Sequence, residues 1–307
     1  MKSLEYVLAD VFTDRRFGGN QLAVFPQMRD LPTELMQAIA RELNLSETVF
    51  VFPPGSADLS FSIRIFTPGA ELPFAGHPTI GTALVLEAVG ALNHARNVSR
   101  VDVSTSDIVL GEGVGPVSVR LSASGGVRRA VLTSPRIPAR IGEGPGVAIE
   151  AELLGLQEAD LAVETKTRAY SAGVPFTIIP LHSRDALSRL QFNTATWATH
   201  FKGSAAPHIL AVYLVTLGEL HARMFAPAMG IPEDPATGAA AVALAGFLND
   251  DQKPSGAGWR WSIHQGVDMG RPSLIDLEID LADGVLSSVR VGGSAVIVGR
   301  GTIEVEA

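Results

Sequence analysis

Residues 64–68 read Arg-Ile-Phe-Thr-Pro, and residues 223–227 read Arg-Met-Phe-Ala-Pro. Each is followed by a loop bearing Gly or Pro, then a Gly at a predicted helix start, then an apolar helix. The first continuation is Ala75-Gly76-His77-Pro78-Thr79-Ile80-Gly81-Thr82-Ala83-Leu84-Val85-Leu86. The second is Glu233-Asp234-Pro235-Ala236-Thr237-Gly238 and the unbroken apolar run Ala239 to Leu248, with a longer loop before it. A strand, a loop and a buried helix used twice predict two similar domains.

A helix that is apolar all round must be buried on every side. The run from Ala239 is too short to span a bilayer, which takes about 20 residues. Small residues at both helix starts leave the backbone N–H groups and the positive dipole end open to an anion. A small carboxylate-bearing molecule is therefore the expected ligand. Two such ends predict that both face one cleft.

The remaining chain is read from its periodicity. Strands are predicted at Tyr6–Val11, Gln21–Phe25, Thr48–Phe52 and Phe61–Phe66, with a turn at Gly18-Gly19-Asn20 and a helix from Pro32-Thr33 to about Leu43. Short strands follow at Val101–Val103, Ile108–Leu110, Val117–Leu121 and Val127–Leu132. Helices are predicted at Val147–Leu154 and Arg184–Leu190. Strand-like segments lie at Ala169–Ile179, Ile209–Thr216, Leu220–Phe225, 259–263, Leu274–Ile279 and Val285–Val291. Gly292-Gly293 is expected to break the pattern before Ala295–Val298 and Thr302–Val305.

With 307 residues, two domains of ordinary size fit. A net charge of −8 and no Lys/Arg cluster in the sequence argue against a nucleic-acid partner. The start Met1-Lys2-Ser3-Leu4-Glu5 lacks the apolar segment of a signal peptide, and no long apolar run indicates a membrane partner, so a cytoplasmic protein is expected. The absence of Cys removes thiolate metal sites and cysteine nucleophiles. No His pair has metal-ligand spacing, so no metal is expected. Gly111-Glu112-Gly113-Val114-Gly115 lacks the spacing of a dinucleotide-binding loop, and no G-x-S-x-G elbow occurs.

Glu47 stands before the apolar strand Thr-Val-Phe-Val-Phe. Burial there would raise a carboxyl pKa towards neutrality, which suits a general acid/base. Alternatively it is a helix cap or a solvated turn residue. His77 lies at one anion-seeking helix end, as a donor to ligand or as a capping group. Asn20 is a left-handed turn residue or a substrate contact. His94, His200 and His208 fall in loop-like or surface-like contexts.

The motifs Asp10-Val11-Phe12, Gly19-Asn20-Gln21-Leu22-Ala23-Val24-Phe25, Leu45-Ser46-Glu47-Thr48, Ala75-Gly76-His77-Pro78-Thr79, Glu233-Asp234-Pro235-Ala236-Thr237-Gly238 and Val291-Gly292-Gly293 span nearly the whole chain. Together they resemble the PhzF-like family of phenazine biosynthesis, relatives of diaminopimelate epimerase. The resemblance implies an α+β fold of two epimerase-like domains, each a curved antiparallel sheet or barrel around a central buried helix. The domains implied are 1–118 plus about 296–307, and 119–295, in a chain that forms a homodimer. It implies cofactor-independent isomerisation by proton transfer. Glu47 matches the acid/base, and His77 and Asp234 match assisting polar groups. Gly76, Thr237, Gly238 and Ala239 match the site for the substrate carboxylate, with Asn20 nearby. Ala239 stands where the motif usually has Ser, which points away from the phenazine precursor as substrate. Ala75 and Thr237 occupy the places of the two Cys of the superfamily's racemases, which excludes two-thiol racemisation. The competing expectation is a catalytically idle relative that binds a small carboxylate or a protein partner.

Overall fold

The computed structural model of the protein describes residues 2–102, 104–254 and 256–306. The chain forms two compact units, Met1–Thr133 with Gly292–Ala307, and Ser134–Val291.

In the first unit, Lys2–Val11 pairs antiparallel with Asn20–Phe25 on one side and with the end of Val285–Val305 on the other. Asn20–Phe25 runs parallel to Glu47–Phe52 because helix α1 (Thr33–Leu43) carries the chain back between them. Phe61–Phe66 follows antiparallel, and Thr105–Glu112 joins it parallel after helix α2 (Gly76–Ala88). Antiparallel hairpins add Gly115–Ser124 and Val127–Thr133. The latter pairs with Val285–Val305 and closes the ring of strands. The sheet is thus mixed rather than purely antiparallel, since each helix crossover returns the chain in its original direction.

α2 is the central helix, with every residue from Gly76 to Leu86 buried. It packs on Lys2–Val11, Asn20–Phe25, Gly115–Ser124 and Val127–Thr133. α1 covers the outer face with Met36, Ile39 and Ala40, against Phe25, Phe50 and Phe66. Phe25 and Phe50 stack at 4.8 Å, and Phe66 meets Phe50 edge-on at 5.6 Å. Phe50 faces α1, so alternation turns Glu47, Val49 and Val51 towards α2. This strand is buried on both faces, which is why its sequence reads as continuously apolar.

The second unit repeats the plan. Pro175–Pro180 runs parallel to His208–Thr216, which pairs antiparallel with Glu219–Ala226. Gly258–Gln265 joins parallel, and Ser273–Ala282 antiparallel to that. Helices α3 (Val147–Leu154), α4 (Arg184–Arg189) and α5 (Thr194–His200) pack with Ile179, Ile209 and Phe225. Helix α6 (Gly238–Gln252) is the buried counterpart of α2 and packs on Ala139–Glu143, Arg168–Ser171, Pro175–Pro180 and Ser273–Ala282.

The internal repeat extends to side chains. Arg64 holds Glu71 through a two-pronged ion pair at 2.7 and 2.5 Å, and lies over Phe66. Arg223 holds Glu233 in the same way, both bonds at 2.8 Å, and lies over Phe225. In both units the fork ties the strand before the loop to the short strand that returns from it.

Four local expectations are corrected. Val285–Val305 is one strand, not pieces broken at Gly292-Gly293. At Gly292 a Cβ would stand 2.7 Å from Val131 and 3.0 Å from the Ala130 carbonyl, so glycine there permits close pairing. Helix α5, absent from the sequence reading, is set by Asn193, whose side chain accepts from the N–H groups of Ala195 and Thr196. The strand expected at Val101–Val103 lies instead at Ser99–Arg100, and Val103 falls outside the described residues. His208 is buried at a strand start, its ring 5.6 Å from that of Phe176. Among the described residues, no helix is long and apolar enough to cross a membrane.

Candidate active site

In the first unit, three sequence-predicted residues converge. Asn20 begins one strand and Glu47 begins the parallel neighbour, with Glu47 in register with Leu22. Asn20 and Leu22 share a face, being two residues apart. His77 lies in the first turn of α2 and Gly81 one turn later on the same side. A Cβ on Gly81 would stand 2.5 Å from Leu22 Cδ2 and 2.6 Å from Val11 Cγ2. Its absence lets α2 descend onto the two strands, and His77 descends with it.

The result is a buried chain of polar atoms. Asn20 Nδ2 lies 3.4 Å from His77 Nδ1, and His77 Nε2 lies 3.2 Å from Glu47 Oε2. All three residues are buried. Desolvation drives the His77 pKa down to about 3, against the smaller opposing effect of a bond to the Gln21 backbone. The imidazole is therefore neutral and carries one N–H. Its Nε2 faces Glu47 either as donor to a carboxylate or as acceptor from a carboxylic acid. The two atoms approach closely but without hydrogen-bond alignment, so a small movement of the ring would be needed to pass a proton between them.

The loop before Asn20 is pinned by Asp10, whose Oδ2 accepts from the Phe17 N–H at 2.7 Å. Gly19 has φ +61°, and a Cβ on it would meet the Val11 carbonyl at 2.4 Å. Asn20 thus starts a strand, in register with Val11, and is not a turn residue.

The start of α2 has no side-chain cap: Ala75 precedes Gly76 and His77, and Pro78 has no N–H. The amides of Gly76 and His77 have no acceptor within the helix. The start of α6 is likewise without a side-chain cap, which leaves Gly238, Ala239 and Ala240 in the same position. Thr237 directs its hydroxyl to Asp234 Oδ2 at 2.5 Å instead, and Gln265 Oε1 takes its N–H at 3.3 Å. Gln265 Nε2 also donates to the Asp234 carbonyl at 2.8 Å and to Thr237 Oγ1 at 3.1 Å.

Gln265 is buried and was invisible to sequence reasoning. It ends an alternating strand, and Gly266 after it has φ +71° and lies against Pro235. A polar residue before such a glycine is the available signal, and a weak one.

Gly81→Ala is expected to cost about 1–3 kcal/mol through overpacking against Leu22 and Val11. It should also lift His77 from Glu47. Denaturant unfolding and the His77 ring NMR signals check both effects; unchanged His77 signals would show that the helix position does not depend on this contact.

A neutral imidazole beside a buried carboxyl, at the start of a helix inside a ring of strands, falls within the broad class of arrangements suited to acid/base chemistry. The comparisons narrow the class. The profile of a family described as phenazine biosynthesis-like protein matches residues 9–301. An uncharacterized isomerase of Mesorhizobium japonicum is 39% identical, with 99% of each chain covered. The trans-2,3-dihydro-3-hydroxyanthranilate isomerase of Pseudomonas fluorescens is 35% identical over 97% of this chain and 98% of its own. A phenazine biosynthesis protein of the PhzF family from Bacillus anthracis superimposes with a TM-score of 0.87 at 22% identity, covering 99% of this chain and all of its own. The chain belongs to the phenazine biosynthesis-like family, and at that level it is an isomerase.

Proposed function

We propose that the protein isomerises a small unsaturated carboxylic acid by proton transfer, with Glu47 as the acid/base. The observation that carries this reading is the 3.2 Å contact of Glu47 with a neutral, buried His77. The Glu47 carboxylate takes a proton from carbon, and the electron pair left behind delocalises into the adjacent double bond. The same carboxyl returns the proton at the far carbon, so proton and charge balance over the cycle. His77 stands beside Glu47 as a neutral group that shields the carboxyl from solvent, while Asn20 orients the ring. The helix-start amides at Gly76 and His77 suit a carboxylate, and those at Gly238–Ala239 in the second unit are a place of the same kind. In the second unit Asp234, bonded by Thr237 and Gln265, is the carboxyl that the family resemblance offers as an assisting group.

The test is proton–deuteron exchange by NMR in D2O over a panel of cyclic and acyclic unsaturated carboxylic acids. The panel includes trans-2,3-dihydro-3-hydroxyanthranilate, the compound named for the Pseudomonas relative. Exchange at a carbon-bound position of one member supports the reading and names the substrate class. Ligands that bind without exchange would favour the idle-binder alternative. Ala239 in place of a hydroxyl residue predicts that the best substrate is not the relative's.

A further inference from the structure

The Gly-Glu-Gly-Val-Gly stretch, which is no phosphate loop, is a hairpin tip between Thr105–Glu112 and Gly115–Ser124. It grips the segment that leads into α2. Val114 N–H donates to the Pro73 carbonyl at 3.1 Å. Gly113 lies so close to Pro73 that a Cβ would stand 2.8 Å from its Cα. Glu112 Oε1 lies 2.7 Å from the hydroxyl of Thr79, in the turn of α2 that carries His77.

The oxygen positions constrain the protons. Thr79 Oγ1 is 2.7 Å from Glu112 Oε1 and also 2.7 Å from the carbonyl of Ala75, the residue before the helix. One hydroxyl has one hydrogen. If Glu112 were ionised, one of these two short oxygen contacts would hold no proton. Both are satisfied only when Glu112 donates to Thr79 and Thr79 donates to Ala75. Glu112 Oε2 is buried with no hydrogen-bond partner among the described residues, a position tolerable for a neutral carbonyl oxygen and costly for a carboxylate.

We propose that Glu112 is a positioning residue for His77, acting as a neutral acid that donates through Thr79 to Ala75 and so fixes the start of α2. The inference rests on the reading of Glu47 and His77 as the reacting pair. Burial agrees with it, pushing the Glu112 carboxyl up to about 8 against the opposing bond from Thr79. Arg64 and Glu71 border the same cavity of about 400 Å³, but they are paired with each other and do not shift Glu112. His77, on α2 itself, is neutral. Loss of the Glu112 proton to solvent, as pH rises through about 8, would send the Thr79 hydrogen to the carboxylate and release Ala75.

The experiment follows the backbone amide NMR signals of Gly76 and His77 from pH 6 to 10, with turnover measured in parallel on the best substrate of the exchange panel (pH range spanning the Glu112 value of about 8). In the wild type both amides should shift with a midpoint near 8, and kcat should fall by up to about a hundredfold above it with little change in KM. Glu112→Gln keeps a donor towards Thr79 and should abolish both the shift and the alkaline loss. Thr79→Val breaks the relay and should lower kcat at every pH. An unchanged titration in Glu112→Gln, or no titration of these amides in the wild type, overturns the proposal. The amide titration needs no substrate, so it stands or falls separately from the isomerase reading.

Discussion

Glu47→Gln is expected to abolish carbon-proton exchange, lowering kcat by roughly 10²–10⁴, the usual contribution of a positioned acid/base. The amide has the shape of the carboxyl and can still meet His77 across the 3.2 Å contact. It cannot release and recover a proton. Binding of the substrate carboxylate should persist, because the amides assigned to it belong to the helix starts. The decisive comparison is exchange rate against ligand affinity, with a thermal melt to show that the fold is intact. A variant that exchanges near the wild-type rate would remove Glu47 from the chemistry and leave the buried pair as a structural feature.

How the site could be read from sequence depends on how local each signal is. The buried helices were legible because an all-apolar run has one physical solution, and the repeat was legible because its Arg-x-Phe-x-Pro copies survive. The Arg–Glu forks were not legible. Glu71 and Glu233 are ordinary acids until strand pairing brings them within reach of Arg64 and Arg223. Glu47 was ambiguous for a similar reason. Its burial follows from α1 and α2 covering opposite faces of its strand, and no neighbour in sequence records that. Gly81 is the sharpest case. In sequence it only weakens a helix, whereas in the fold its missing Cβ brings His77 to the strands. Gln265 and Glu112 are reached only through contacts with residues far away in the chain. The parallel pairs escaped notice because helix crossovers, not strand patterns, decide direction.

The two buried titrating groups of the first unit should give the protein a stability plateau with two separable edges. His77 has its pKa lowered from 6.5 to about 3, so between these values the unfolded chain binds the extra proton. Stability then rises with pH, and acidification costs about 1.4 kcal/mol per pH unit, roughly 3 kcal/mol by pH 4. Glu112 behaves oppositely. Its pKa is raised from 4.5 to about 8, so the folded state holds the extra proton across that window. Stability falls as pH rises, by roughly 5 kcal/mol once both states are ionised above the window. The two slopes cancel between 4.5 and 6.5. Each edge alone is a large part of the 5–15 kcal/mol typical of a folded domain. Denaturant unfolding at about pH 4, 5.5 and 9, with wild type compared to each variant, isolates these terms because all other groups cancel in the difference. His77→Gln should remove the rise on the acid side and leave the Glu112 fall running from pH 4.5, and Glu112→Gln should remove the alkaline fall and leave the His77 rise running up to pH 6.5. Should Glu112→Gln lose stability between pH 6.5 and 8 in parallel with the wild type, Glu112 is not a neutral acid in the fold, and the proton relay to Ala75 falls with it.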